Sequence, residues 1–198
     1  MYYPRRSGAL HIVSQFHPDR ERRRLGRVPL AFAAAACLCE MACSGSMPGN
    51  PAPRIFDLVS AGLDALDEGV EPVKIAIAFG LAFLSELGFA PRLEACVLCG
   101  GDLPSGASAL SFERGGALCS ACRHTLPSQE ITPSTHKALR YLGRSLYKGV
   151  GRLALSRADA TEGLSTVLGF FQAQIGRRVK SGQFFLHLLV EERLDHVA

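Results

Sequence analysis

Seven cysteines stand in this chain, and four of them form two C-x-x-C pairs, Cys96-Val-Leu-Cys99 and Cys119-Ser-Ala-Cys122, with 19 residues between them. A C-x-x-C turn aims two thiolates at a common point, and two such turns brought together complete the tetrahedron that Zn²⁺ prefers in a closed structural site. Gly100 directly follows Cys99, where a knuckle turn needs positive φ. Between the pairs, the run Ala109–Cys119 reads as strand, glycine turn and strand, a hairpin that would deliver the second pair to the first. Two other chemistries compete for the same residues. Paired disulfides suit secreted chains, and a thioredoxin-type redox motif uses one pair after a strand of a βαβ unit, a setting neither pair has. Structural zinc on Cys96, Cys99, Cys119 and Cys122 is therefore the first expectation. Four thiolates leave no position for a reactive water, so a catalytic metal is not expected. His124, two residues beyond Cys122, is a replacement ligand on paper, but a surface histidine is the simpler expectation.

The elements that must hold this module are helical. Pro29–Ala42 is an Ala- and Cys-rich helix whose thiols Cys37, Cys39 and Cys43 are expected as small core residues rather than ligands. Arg54–Leu66 carries Ile55, Leu58, Val59, Leu63 and Leu66 at helical spacing. Val73–Leu87 is apolar almost all round, as the buried centre of a bundle must be, and Gly88 and Pro91 stop it. Thr132-Pro133 opens a further helix with an N-cap and a first-turn proline. Asp159–Ile175, closed by Gly176, and a last helix after Ser181 complete about six helices. The expected class is mainly α: a helical bundle with an inserted four-cysteine zinc hairpin module at about 95–123.

Charge is unevenly distributed. Residues 1–27 carry seven Arg against two acids, residues 28–122 four bases against ten acids, and residues 123–180 ten bases against three acids. Two basic blocks flanking an acidic middle suggest a polyanionic partner. The helix after Thr132 concentrates this: at 100° per residue, Lys137, Arg140, Arg144 and Lys148 share a stripe about 80° wide, bordered by Tyr141, with Leu139, Leu142 and Leu146 opposite. Such a stripe can meet successive phosphates or an acidic peptide; a merely solvated polar face is the competing explanation. Arg177, Arg178 and Lys180 form a shorter patch, which helix-dipole complementation alone would explain.

No nucleophile–base pair, phosphate-cradling glycine loop or metalloprotease helix is visible, so an enzyme is not expected. Arg22-Arg23-Arg24 before the apolar run Val28–Cys43 imitates a signal peptide, but the run starts too far into the chain and contains Glu40. Ile75–Leu84 is far shorter than the ~20 residues that span a bilayer. A cytoplasmic protein without a membrane partner is expected.

The order of these features resembles the bacterial RecO family of recombination-repair mediators. The resemblance rests on Leu84-Ser-Glu-Leu-Gly-Phe-Ala-Pro-Arg-Leu-Glu-Ala-Cys-Val-Leu-Cys-Gly100, on Ser111-Phe-Glu-Arg-Gly-Gly-Ala-Leu-Cys-Ser-Ala-Cys122, and on Ile175-Gly-Arg-Arg-Val-Lys-Ser-Gly-Gln-Phe-Phe185, where a lysine–serine pair precedes the last helix. It covers roughly residues 8–190. The resemblance implies a nucleoid-associated mediator that binds single- and double-stranded DNA, works with RecR, engages the C-terminal tail of single-strand-binding protein, and helps load the strand-exchange recombinase onto coated single strands. It also implies an N-terminal OB barrel, a helical domain, and a zinc module whose ligands match Cys96, Cys99, Cys119 and Cys122. Here only Ala9–Phe16 offers a barrel strand, so residues 1–27 are expected as a basic remnant of the barrel and 28–198 as the helical domain. Autonomous DNA binding is the property this departure touches. The alternative is a zinc-ribbon interaction module that binds no DNA itself.

Overall fold

The computed structural model describes residues 2–3, 12–18, 20–47, 52–103, 109–145, 147 and 149–191. Its helices are α1 (Pro29–Gly45), α2 (Pro53–Asp67), α3 (Pro72–Glu86), α4 (Pro133–Ser145), α5 (Arg157–Ile175) and α6 (Lys180–Glu191). The strands are β1 (Tyr2–Tyr3), β2 (Ile12–Val13), β3 (Ala109–Ser111), β4 (Gly116–Leu118) and β5 (Gln129–Glu130). The protein is mainly helical, as its apolar periodicities predict, with a small sheet beside the two cysteine pairs.

Helix α3 is the axis of the molecule. Val73 through Leu81, with Phe83 and Leu84, are buried, and α1, α2, α4 and α5 all pack against it. Phe79 stacks on Phe83 at 5.5 Å, and Phe83 on Phe171 of α5 at 6.1 Å. Burying a helix on every side leaves no room for bulk at its closest crossings. A Cβ on Gly80 would stand 2.3 Å from Val167 Cγ1, so glycine there lets α3 and α5 approach. Lys74, which the sequence marks as the polar edge of this stretch, is itself buried inside it. Its Nζ donates to the Leu153 carbonyl at 2.6 Å and pairs with Glu71 at 2.7 Å, which is how a charge is tolerated at that depth.

The helix ends are set by local chemistry. The Thr132 Oγ1 accepts from the Thr135 amide at 3.1 Å as the cap of α4, and Ser156 does the same for α5 through Asp159 N. The Asp159 carboxylate also accepts from the Ser134 hydroxyl at 2.6 Å and the Thr132 hydroxyl at 3.0 Å, tying the N-terminal ends of α4 and α5 together. Hydrogen bonds from Ser134 and Ser156 hold its carboxyl below the usual range.

Three expectations are corrected by tertiary placement. Of the α1 thiols, only Cys37 is buried, its pKa pushed up to about 12, chiefly by burial; Cys39 and Cys43 lie on the exposed face. Position on the helix, not thiol chemistry, decides this, because α1 packs against α2, α3 and α6 and leaves one stripe uncovered. Lys180, expected in the turn ahead of a helix that starts after Ser181, is instead the first residue of α6. The segment Ala9–Phe16 falls partly outside the described residues; its Ile12–Val13 pairs antiparallel with Tyr2–Tyr3, so it is not a lone strand.

Glu40 caps α6 from a distance of 140 residues in sequence. Its carboxylate accepts from the Lys180 amide at 3.0 Å, from the Ser181 amide at 2.7 Å and from the Ser181 hydroxyl. Burial would raise the Glu40 pKa, but the Ser181 and Lys180 hydrogen bonds prevail and lower it. Glu40→Ala should cost about 1–3 kcal/mol by leaving α6 uncapped, measurable by urea denaturation. Because the folded-state pKa is depressed, the stabilising contribution is present above the ordinary carboxylate range and is lost as pH falls through the folded value. The gap between wild type and variant should therefore close in acid.

Candidate metal centre and its basic flank

The polypeptide reaches the cysteine module through a segment held on both sides. Arg92 N donates to Gly115 O at 2.9 Å and its own carbonyl accepts from Ala117 N at 2.8 Å; beyond Ala95, Cys96 N donates to Gly101 O at 2.9 Å and Val97 N to Ala117 O at 2.8 Å. This lays residues 92–97 along the free edge of β4, while β3 pairs antiparallel with β4 on one side and with β5 on the other. Gly115 turns the hairpin with φ of +69°. Gly116 is required for a different reason: a Cβ there would meet the Arg92 carbonyl oxygen at 2.4 Å. Gly100 takes φ of +73° just past Cys99, and its amide donates to the Cys96 carbonyl at 2.9 Å, closing the first knuckle. The second knuckle closes with Cys122 N and Arg123 N both donating to Cys119 O, at 3.1 and 3.0 Å.

These turns bring the sulfur atoms of Cys96, Cys99, Cys119 and Cys122 within 4.8 Å of one another, with Cys99 Sγ and Cys119 Sγ 3.9 Å apart. A tetrahedron of Zn–S bonds near 2.3 Å has S···S edges of about 3.8 Å, so the donor set fits such an ion with little adjustment. The thiol protonation agrees. Burial opposes ionisation of Cys96, but the backbone amides of Cys99, Cys119 and Leu98 overcome it and pull the pKa down to about 6. Cys122, hydrogen-bonded to the Cys119 sulfur, is pushed up to about 12. Four neighbouring sulfurs resist carrying four negative charges, and a divalent cation relieves that repulsion. His124 is exposed, accepts from Arg123 Nε at 2.9 Å and is not among the clustered ligands.

The module docks on α4 and α5. Phe112 meets Phe170 edge-on at 4.9 Å, and Gln174 Nε2 donates to the Phe112 carbonyl at 2.7 Å. On the other side, buried His136 sits 2.7 Å from the Leu93 carbonyl through Nε2. Burial lowers the His136 pKa; the Leu93 carbonyl opposes this and nearby Arg140 adds to it.

The basic stripe is where tertiary structure changes the reading most. Lys137 is exposed, Arg140 half-buried, Arg144 exposed, and Tyr141 is 37% exposed with its hydroxyl donating to Gly149 O at 3.1 Å. Leu146 and Lys148 lie outside the described residues. No acid stands on α4 between Lys137 and Ser145, yet one arrives from elsewhere: Glu94 accepts from Arg140 Nη2 through Oε2 and from Arg144 Nη2 at 2.6 Å through Oε1. The Arg140 hydrogen bond is the largest influence holding the Glu94 carboxyl below its usual range. Arg177 and Arg178 are exposed in the turn before α6, and Lys180 uses its amide on Glu40. Beside the stripe lies a cleft of about 430 Å³ between the end of α3, residues 90–97 and α4, floored by Leu81, Leu93 and Leu139 with Arg140 and Arg144 on its wall.

The family model described as "Recombination protein O C terminal" matches residues 27–183. The chain belongs to the RecO family. It is 35% identical over 165 residues to the DNA repair protein RecO of Rubrobacter xylanophilus, covering 75% of this chain and 64% of that one. With the RecO of Moorella thermoacetica the identity is 34% over 155 residues, 77% and 58% of the two chains. With that of Dehalococcoides mccartyi it is 30% over 130 residues, 66% and 51%. The chain thus spans between about half and just under two thirds of these relatives' lengths. The matched region contains all four clustered cysteines and the α4 cations. Among the described residues no helix is long and apolar enough to cross a membrane.

Two outcomes test this centre. Purified protein should carry one zinc per chain by elemental analysis, and Cys99→Ser should lose it and melt at lower temperature, since strands of two or three residues pair too little to hold two cysteine turns in place without a bound ion. Separately, a depressed His136 pKa means the unfolded chain takes up the proton first, so stability should decline as pH falls through and below the ordinary histidine range. His136→Gln should flatten that part of the melting-temperature profile.

Proposed function

We propose that this chain acts in DNA repair and recombination as a mediator rather than an enzyme, binding DNA and partner proteins and helping to load the strand-exchange recombinase onto single strands coated with single-strand-binding protein. The observation that carries this reading is the seating of Lys137, Arg140 and Arg144 on one helix face beside the cysteine cluster, in a chain whose relatives are DNA repair proteins by name. Cations at one-turn intervals suit a phosphodiester backbone, and each phosphate they neutralise releases counterions. Zn²⁺ on the four cysteines then has a structural role: it holds the hairpin whose linker faces the stripe.

The remaining assignments follow as part of the same proposal. Single- and double-stranded DNA and RecR are its partners, and its place is the cytoplasm, with the nucleoid. Lys148, Arg177, Arg178 and Lys180 extend the candidate basic surface. Residues 28–198 form the helical domain, the zinc module occupying about 95–123. A second reading is favoured by the cleft beside Arg140 and Arg144, whose apolar floor is built for side chains rather than phosphates. There the acidic C-terminal tail of single-strand-binding protein would dock, and the chain would be a zinc-ribbon interaction module with no DNA affinity of its own.

Binding to labelled single-stranded oligonucleotide, measured across salt concentration, separates the two. On the leading reading, Arg140→Glu with Arg144→Glu weakens binding by about tenfold or more at low salt and flattens the salt dependence. An affinity that does not change, in a variant with wild-type circular dichroism, would remove the stripe from the account.

A further inference from the structure

We propose that Glu94 is a built-in competitor for the α4 stripe, occupying Arg140 and Arg144 in the free protein so that only a ligand with several phosphates displaces it. This rests on the reading that the stripe binds single-stranded DNA, and adds to it a threshold that selects polyanions over single anions.

The argument begins with the shape of the contact. One carboxylate bridges two guanidinium groups a turn apart, each of its oxygens taking one of them. A backbone phosphate lying across that turn would present two oxygens to the same pair of donors, so Glu94 stands in the place such a phosphate would take. The competitor cannot diffuse away. The Arg92 amide donates to the Gly115 carbonyl and the Arg92 carbonyl accepts from the Ala117 amide on one side of it, and Cys96 and Val97 are fixed to Gly101 and Ala117 on the other. Leu93, its immediate neighbour, is held through its carbonyl by buried His136. Only the side chain can swing aside, and it remains tethered at high effective concentration whenever a ligand leaves.

The lock is also weak enough to open. The Glu94 side chain is 52% exposed and that of Arg144 is 69% exposed, so water screens the pair. An isolated phosphate or carboxylate gains nothing over the resident carboxylate, because it meets the same two donors and must also be brought from solution. A strand that continues onto exposed Lys137 adds contacts Glu94 cannot make, and it wins. Glu94 therefore sets which anions the stripe accepts.

The test measures affinity for fluorescein-labelled oligothymidylate at low salt for wild type, Glu94→Gln and, as a control for net charge, Glu113→Gln on the exposed hairpin turn of the same module. Two half-exposed pairs, each worth at most about a factor of five, place the expected tightening for Glu94→Gln between about threefold and twenty-five-fold. Glu113→Gln should stay within about twofold of wild type. Inorganic phosphate should compete better against oligothymidylate on Glu94→Gln than on wild type. Equal affinity of Glu94→Gln and wild type overturns the proposal, as does equal tightening by Glu113→Gln, which would mean net charge alone. Tightening toward a glutamate-rich peptide with none toward oligothymidylate also overturns it, since the selected ligand would be a protein tail. The double variant Arg140→Glu, Arg144→Glu keeps the two failures apart. If it leaves wild-type binding intact, the stripe itself is wrong; if it abolishes binding while Glu94→Gln has no effect, only the competitor is. Zinc content and circular dichroism of each variant show that the module is still in place.

Discussion

The short stretch from Arg92 to Val97 is the joint on which this molecule turns. Its backbone completes the sheet along the free edge of β4, its Leu93 carbonyl is gripped by His136, its Glu94 spans two arginines, and its Cys96 supplies the first sulfur of the four-cysteine cluster. This one segment joins the helical core, the basic face and the cysteine cluster at once. The constraint is strict because sheet pairing and knuckle closure fix the backbone to within a hydrogen bond. Side chains on that backbone then meet α4 at one register only.

The joint would be useless without a rigid surface to press against. That surface comes from α3, buried on all sides, and from the aromatic chain of Phe79, Phe83 and Phe171 that locks it to α5. Helix α5 in turn receives Phe112 of the cysteine module on its Gly169 face, where a side chain on residue 169 would collide with the ring at 2.5 Å. At the far end of the bundle, Glu40 pins α6 to α1 through three donors. Packing and capping together make the bundle a single platform. A short hairpin carrying four clustered cysteines can then hold one position relative to the α4 cations.

Much of this was legible residue by residue. Apolar spacing located the six α-helices of the described residues to within a few positions, because burial on a 3.6-residue period leaves its mark wherever a helix packs against a core. Thr132, Gly88 and Gly176 marked ends, since caps and left-handed turns are local demands. The Ser156 cap was equally local and lay three residues before the expected start of α5. The C-x-x-C spacing located the cluster because two-residue turns admit few shapes. Less legible were the contacts that join distant positions: Glu40 looked like a stray charge in an apolar run, Lys74 like the edge of one, and Cys39 and Cys43 like core.

By itself the sequence determined the class of fold, the identity of the four clustered sulfurs and the existence of a cationic face on α4, because periodicity, turn chemistry and charge spacing act over a few residues. Tertiary structure alone decided that the cationic face is already partnered. Glu94 lies 46 residues before Arg140, and nothing in local physics links them; they meet because a histidine docks the sheet-edge segment on α4 while an aromatic pair holds the sheet on α5. Charge is written along the chain, but whether it is free is settled only where the chain returns to itself.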